Sequence, residues 1–188
     1  FINEHMPGGK FDLIVHSFGA RVAVKLLSER EIRVRFDKIV FTGAAGLKPR
    51  RSLRFYLRKY TAKLLKAPFM ILPGSYRESG LKKLRNTNLW KSLGSSDYRQ
   101  LSGVMRQTFV STVNEHLDAK FPAIPQEILL IWGENDTSTP LEQARRMESL
   151  LPESALIILE DAGHYAFIDK PAQFASIVKA YLEPEKEI

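Results

Sequence analysis

The sequence predicts an α/β fold, a mostly parallel sheet with flanking helices, interrupted by a helical insertion. Three observations point there. Short apolar runs alternate with helix-patterned segments at both ends of the chain. Each run is closed by a loop rich in Gly, Asp or Ser, the punctuation of strand-to-helix connections. Between the two alternating stretches, roughly eighty residues lose the alternation and carry helical periodicity with strongly basic charge.

The first strand is FDLIV (residues 11–15), apolar and introduced by the turn signal Pro7-Gly8-Gly9. A helix over 20–29 follows, with Val22, Val24, Leu26 and Leu27 as its apolar positions. KIVFTGAAG (38–46) is a second buried strand running into a glycine-rich loop. Strand, helix and strand in so short a span predict parallel pairing through a crossover. In the insertion, residues 52–66 read as an amphipathic helix, with Leu53, Tyr56, Leu57, Tyr60 and Leu64 on one side. APFMILPGS interrupts it. Residues 97–117 read as a second long helix, with Ser95, Ser96 and Asp97 as cap candidates, and FPAIP (121–125) as a stiff connector. The alternation then resumes: strand 127–133, a helix with Pro140 near its first turn, strand 155–161, and a closing helix over 171–182. The expected division is a core of residues 1–46 and 121–188 around an insertion of residues 47–120.

Composition narrows the function classes. The 188 residues contain no cysteine, which excludes disulfides, thiolate nucleophiles and Cys-ligated zinc. His, Asp and Glu show no metal-ligand spacing, so no metal and no cofactor are expected. No run approaches the ~18 apolar residues of a membrane span. The opening FINEHMPGGK lacks a basic stretch followed by an apolar one, so no secretory signal is read, and a cytoplasmic location is the expectation. The net charge is +7. Between Lys48 and Lys91 thirteen basic residues face one acid, Glu78, so this segment carries +12 and the remainder is net acidic. Most charge runs are solvated helix faces, but two partners fit this one: an anionic substrate, or an anionic membrane surface touched peripherally. No nucleic-acid-binding module is present, so nucleic acid is not expected as a partner.

Three residues each follow a different predicted strand. Ser17 closes the first, Asp136 lies just past the third in IWGENDTSTP, and His164 lies just past the fourth in LEDAGHYAF. A serine hydroxyl becomes a good nucleophile only when a base takes its proton, and a carboxylate orients that base. A tight turn between strand and helix lifts such a serine clear of the sheet, and it needs small neighbours; Gly19 and Ala20 provide them. Each residue also has a plainer reading. Ser17 serves equally as a helix N-cap, Asp136 as a cap for the helix at Pro140, and His164 as a loop residue; Glu134 is a rival acid. His16 is read as structural, pointing away from the serine, and His5 and His116 carry no signal. Order and context together favour the chemical reading for Ser17, Asp136 and His164.

With VHSFGA at the turn, LLIWGENDTSTP at the third strand and DAGHYAFIDKPAQFASIVKAYL from the histidine into the last helix, the chain resembles the carboxyl-terminal two-thirds of an α/β-hydrolase. The resemblance implies a serine hydrolase acting on a small-molecule ester or related acyl substrate, anionic if the basic segment steers it. In that reading Ser17 is the nucleophile, His164 the base and Asp136 the acid. The Phe18 N–H is one oxyanion-hole donor, and the basic insertion is the cap. Relatives that cleave thioesters or C–C bonds also keep the serine. The sequence departs from the family pattern at two places. Val15 stands where a glycine is usual, and the amino-terminal strands with the second oxyanion donor are expected to be missing before residue 11. The alternative reading is an amino-terminally truncated, non-catalytic fragment, or a basic interaction or membrane-surface module.

Overall fold

A sheet covered on both faces requires apolar residues at nearly every position of its strands, and the strands of this chain pair accordingly. The computed structural model describes residues 2–5, 8–49, 53–87 and 103–183. Among them four strands, β1 (Phe11–His16), β2 (Phe36–Thr42), β3 (Ile128–Gly133) and β4 (Ser154–Leu159), form one sheet in the order β1-β2-β3-β4. All three pairings are parallel. Parallel neighbours need crossovers, and helices supply them. α1 (Gly19–Ser28) lies between β1 and β2, and α5 (Leu141–Leu150) between β3 and β4. The closing helix, α6 (Pro171–Leu182), starts on Pro171, whose missing N–H costs nothing in a first turn.

The chain divides into two compact units, Phe1–Lys48 with Glu115–Ile188, and Pro49–Asn114. In the first, alternation along β2 and β3 builds a layer on each face of the sheet. Ile39, Phe41, Ile128, Leu130 and Trp132 pack with Ala20, Val24 and Leu27 of α1 and with Ala144 and Met147 of α5. Val40, Leu129 and Ile131 face the other way, toward Phe174, Ile177, Val178 and Tyr181 of α6. The segment expected to be a stiff connector has a different role: a 3₁₀ turn at Asp118–Ala123 drives Phe121, and Ile124 just after it, fully into the first layer. Two large apolar side chains outweigh the stiffness of the prolines.

The ends of the intervening segment are stitched together within this unit. The Leu117 N–H bonds to the Gly46 carbonyl at 2.9 Å. The Lys48 N–H bonds to the Asp118 carboxylate at 2.9 Å. Arg146 pairs with Asp118 at 2.9 Å and also donates to the Lys48 carbonyl at 2.8 Å.

The second unit is helical. α2 (Leu53–Met70) runs past the expected stop at residue 66, through Pro68 to Met70. A proline so near the C-terminal end forfeits one turn of hydrogen bonding and no more. α3 (Gly74–Asn86) follows. Gly80 of α3 lies so close to the Phe69 ring that a Cβ there would overlap it. α2 therefore turns Ala62, Leu65 and Phe69 inward, while Leu53, Leu57, Tyr60 and Leu64 stay exposed. α4 (Gly103–Asn114) ends three residues before the end expected at 117; the cap candidates Ser95, Ser96 and Asp97 lie outside the described residues. Leu117 is not on it: it is buried in the first unit. Among the described residues no helix is long and apolar enough to cross a membrane.

One glycine decides how β3 and β4 end. A Cβ on Gly133 would fall on the carbonyl oxygens of Ala162 and Gly163, backbone atoms that cannot swing aside. The absence of a side chain lets the loop after β4 settle onto the end of β3, where the Asn135 N–H bonds to the Ala162 carbonyl at 2.8 Å. Gly133→Ala should therefore cost about 1–3 kcal/mol and lower Tm by about 2–4 °C per kcal/mol. Thermal denaturation followed by circular dichroism measures it, and an unchanged Tm would contradict the close approach.

Candidate functional site

At the carboxyl ends of the parallel strands the backbone turns sharply, and Ser17 sits on the sharpest turn. Its φ is +51°, the left-handed region that a residue with a Cβ rarely adopts. Hydrogen bonds hold it there. The Ser17 N–H donates to the Thr42 carbonyl at 3.0 Å. Its own carbonyl accepts from Ala45 at 3.0 Å and from Ala20 at 3.2 Å. Val15, the departure from the usual glycine, fits because Gly19 has no side chain: a Cβ on Gly19 would stand 3.3 Å from the Val15 Cβ. The small residue after the serine thus makes room for the bulky one before it. α1 begins immediately, with Phe18 as its N-cap. Ser17 is not the cap; its hydroxyl faces His164.

Asp136 follows β3 and is nearly sealed from solvent, its side chain showing no exposed surface. It does not cap α5, whose N-cap is Pro140. It closes a local turn instead. Oδ1 accepts the Ser138 and Thr139 N–H groups, each at 2.8 Å. Oδ2 accepts the Thr139 hydroxyl at 2.7 Å and lies 2.8 Å from His164 Nδ1. Thr139 is itself buried, and its carbonyl accepts the Trp132 indole N–H at 2.7 Å. Glu134, the rival acid, is exposed and turns to the Asp161 N–H at 3.4 Å.

His164 bridges the two. With Nδ1 against a carboxylate, the proton belongs on Nδ1 and the Nε2 lone pair is free to accept. Nε2 lies 3.1 Å from Ser17 Oγ. Ser17, His164 and Asp136, one from the end of each of three strands, are thus joined in a single hydrogen-bonded chain. In chemical terms the arrangement can take a proton from the serine hydroxyl and hold it beside a buried carboxylate. The Phe18 N–H donates to no described backbone carbonyl.

His16 is placed otherwise than its sequence position suggests. Its ring packs against His164, centroids 4.7 Å apart, with Tyr165 at 5.2 Å and Phe167 at 5.1 Å around it. The left-handed turn at Ser17 breaks the strand's alternation and lets both neighbouring side chains reach the same histidine. His16 Nδ1 donates to the Thr42 carbonyl at 3.1 Å, while Nε2 is buried with no described partner. Burial, and next the positive charge that His164 carries when protonated, hold its pKa below 6.5, against the opposing pull of the Thr42 bond and the Asp136 charge. Thr139 and His16 are the two residues of the site that sequence reasoning missed. A threonine three residues after an aspartate is a signal for the first. For the second, none exists in the sequence. Among the described residues no group of three or more His, Asp or Glu side chains could hold a metal ion.

Comparison with known proteins gives the following. A family model described as alpha/beta hydrolase fold matches residues 1–171. The pimeloyl-[acyl-carrier protein] methyl ester esterase of Nitrosomonas europaea is 38% identical over 64 residues, covering 34% of this chain and 25% of that protein. The 2-hydroxy-6-oxononadienedioate/2-hydroxy-6-oxononatrienedioate hydrolase 2 of Pseudomonas putida is 26% identical over 136 residues, covering 60% of this chain and 46% of that protein. Among solved structures, an alpha/beta hydrolase enzyme from a Medee basin deep-sea metagenome library superposes with a TM-score of 0.62 at 16% identity, over 100% of this chain and 70% of that one. The likeness to that structure is one of fold. The chain spans less than half the length of these two curated relatives.

The placement of His16 has a consequence for stability. Above pH 6.5 folded and unfolded states both hold it neutral. Below pH 6.5 the unfolded chain binds a proton that the folded chain, with its lowered pKa, still refuses, so stability falls with falling pH. His16→Asn keeps an N–H for the Thr42 carbonyl and removes the titration. Between pH 7.5 and pH 5.5 the wild-type Tm should drop further than that of the variant, and equal drops would mean that His16 is protonated freely in the fold.

Proposed function

The chain belongs to the alpha/beta hydrolase fold family, and from that premise we propose that it is a serine hydrolase for an ester or related acyl substrate, with Ser17, His164 and Asp136 as its triad. The observation that carries this reading is the unbroken chain of contacts, 3.1 Å from Ser17 Oγ to His164 Nε2 and 2.8 Å from His164 Nδ1 to Asp136. His164 Nε2 takes the hydroxyl proton as Ser17 Oγ bonds to the substrate carbonyl carbon. The carbonyl oxygen becomes an oxyanion, and the Phe18 N–H donates to it. The imidazolium, steadied by Asp136, passes its proton to the leaving alkoxide as the ester bond breaks. A water then repeats the sequence on the acyl-serine, with His164 first as base and then as acid. The two curated relatives, one named as a methyl ester esterase and one as a 2-hydroxy-6-oxononadienedioate hydrolase, support the hydrolase class and leave the acyl group open.

A second reading concerns partners and rests on α2. Its exposed Leu53, Leu57, Tyr60 and Leu64 share a helix with exposed Arg58, Lys59 and Lys63. In our reading this face rests peripherally on an anionic membrane surface, apolar side chains at the interface and cations on the headgroups.

Three measurements test these readings. In the full-length gene product a fluorophosphonate probe should label Ser17, and Ser17→Ala should abolish the label; labelling that persists in Ser17→Ala ends the serine reading. Asp136→Asn should keep the fold and lower ester turnover by about 10²–10⁴, whereas an unchanged rate would remove Asp136 from the triad. Binding to phosphatidylglycerol vesicles should fall steeply as salt rises, because exposed charges are screened within ~8 Å at physiological ionic strength. Salt-sensitive turnover without vesicle binding would point to an anionic ester instead, and a flat response to a merely solvated helix.

A further inference from the structure

Asp136 Oδ2 is the oxygen that faces His164, and it is shared. The imidazole Nδ1 stands 2.8 Å from it and the Thr139 hydroxyl 2.7 Å. With the two backbone N–H groups on Oδ1, the carboxylate's four acceptor positions are filled. The Thr139 hydroxyl has one proton to give. Its neighbours within reach are Oδ2 and, at 3.4 Å, His164 Nδ1. Nδ1 already carries a proton directed at the carboxylate, so the hydroxyl proton goes to Oδ2. The side chain has no freedom to do otherwise. Thr139 is buried, its N–H is held by Asp136, its carbonyl is held by the Trp132 indole, and its β-branched side chain is stiff.

We propose that Thr139 is a positioning residue for the Ser17–His164–Asp136 chain, whose hydroxyl locks Oδ2 toward His164 and draws charge out of that oxygen, so that the carboxylate pulls less strongly on the imidazolium. The inference rests on the serine-hydrolase reading above for its catalytic meaning, though not for its electrostatics. A hydrogen bond to a carboxylate stabilises its charge and takes up some of its power to stabilise a neighbouring cation. Removing the donor leaves a more basic oxygen against Nδ1. The charged form of His164 then gains, and the pH below which it no longer accepts a proton from Ser17 rises. Orientation is lost at the same time, because the oxygen is pinned on one side only. A purely structural Thr139 would lower stability and leave the His164 titration where it was.

The other groups around His164 do not change with residue 139. From the end of β1 these are His16, at 4.7 Å between ring centroids, and Ser17. From the loop after β3 comes Asp136. From the segment of His164 itself come Tyr165, at 5.2 Å, and Asp169, whose carboxylate accepts the neighbouring Gly163 N–H at 2.7 Å. Below its lowered pKa His16 adds a second proton beside His164, and it does so in wild type and variant alike.

The experiment compares wild type, Thr139→Val and Thr139→Ser in the full-length gene product, with two readouts. One is the pH dependence of the rate at which a fluorophosphonate labels Ser17. The other is the His164 titration followed by imidazole ¹⁵N NMR, which needs no turnover. Thr139→Val should move the acid limb and the NMR midpoint upward together by roughly 0.5–1 unit, and lower the plateau labelling rate by about tenfold. Thr139→Ser, which keeps the hydroxyl, should return both toward wild type. If Thr139→Val does not fold, Thr139→Ala removes the same donor and the same comparison applies. An NMR midpoint that stays put in the hydroxyl-free variant overturns the proposal, as does a Ser variant that behaves like Val. A wild type that is never labelled while its His164 midpoint still responds to residue 139 sinks the hydrolase reading and keeps the coupling.

Discussion

Burying the Asp136 carboxylate is the costly act around which this end of the molecule is built. A carboxylate withdrawn from water is strongly unfavourable unless donors replace the solvent it has lost. Here four donors do so, and each imposes a demand on the chain. Two are backbone N–H groups, so residues 136–139 must close into a turn. One is the Thr139 hydroxyl, so that turn must present a short polar side chain inward. The last is His164, which arrives from another strand altogether. β3 and β4 must therefore end in register with their following loops pressed together, and the bare backbone of Gly133 allows it.

Ser17 is the complementary case, a strained backbone rather than a buried charge. Holding a residue with a Cβ in the left-handed region costs about 1–3 kcal/mol. It persists because the surroundings over-determine it: β2 supplies the Thr42 carbonyl, the loop after β2 supplies the Ala45 N–H, and α1 starts at once. The strain sends His16 and Ser17 to the same neighbour. The imidazole of His164 is thus held along one edge by the buried carboxylate and against one side by a second imidazole kept neutral by burial.

Much of the fold was legible in the sequence because parallel strands covered on both faces are written as unbroken apolar runs, and all four runs became strands. That Ser17, Asp136 and His164 come together was legible because the ends of parallel strands converge at one edge, so position after a strand is already a statement about space. What escaped depended on distances that periodicity does not encode. Leu117 carries helical spacing yet leaves α4, because a buried site in the sheet unit takes it. FPAIP reads as two stiffening prolines, while Phe121 and Ile124 decide its position. Strand alternation points His16 away from the serine's partners, but the positive φ of Ser17 breaks that alternation and brings the ring against His164. The apolar stripe of α2 was read correctly as a stripe, but the inward side is set by Gly80 of α3, a partner that α2's own sequence does not mention.

The stitching of Gly46 to Leu117 and of Lys48 to Asp118 gives the sheet unit a closed neck. Once a loop is shut at its base, the entropy of making it longer rises only logarithmically, by about 0.6 kcal/mol for each doubling. The stretch between the stitches is in that sense interchangeable: residues there can be added, removed or replaced wholesale while the spacing of Ser17, Asp136 and His164 is kept by bonds on the other side of the seam. The sheet unit answers to the geometry of its own hydrogen bonds, whatever the length of the segment between the stitches.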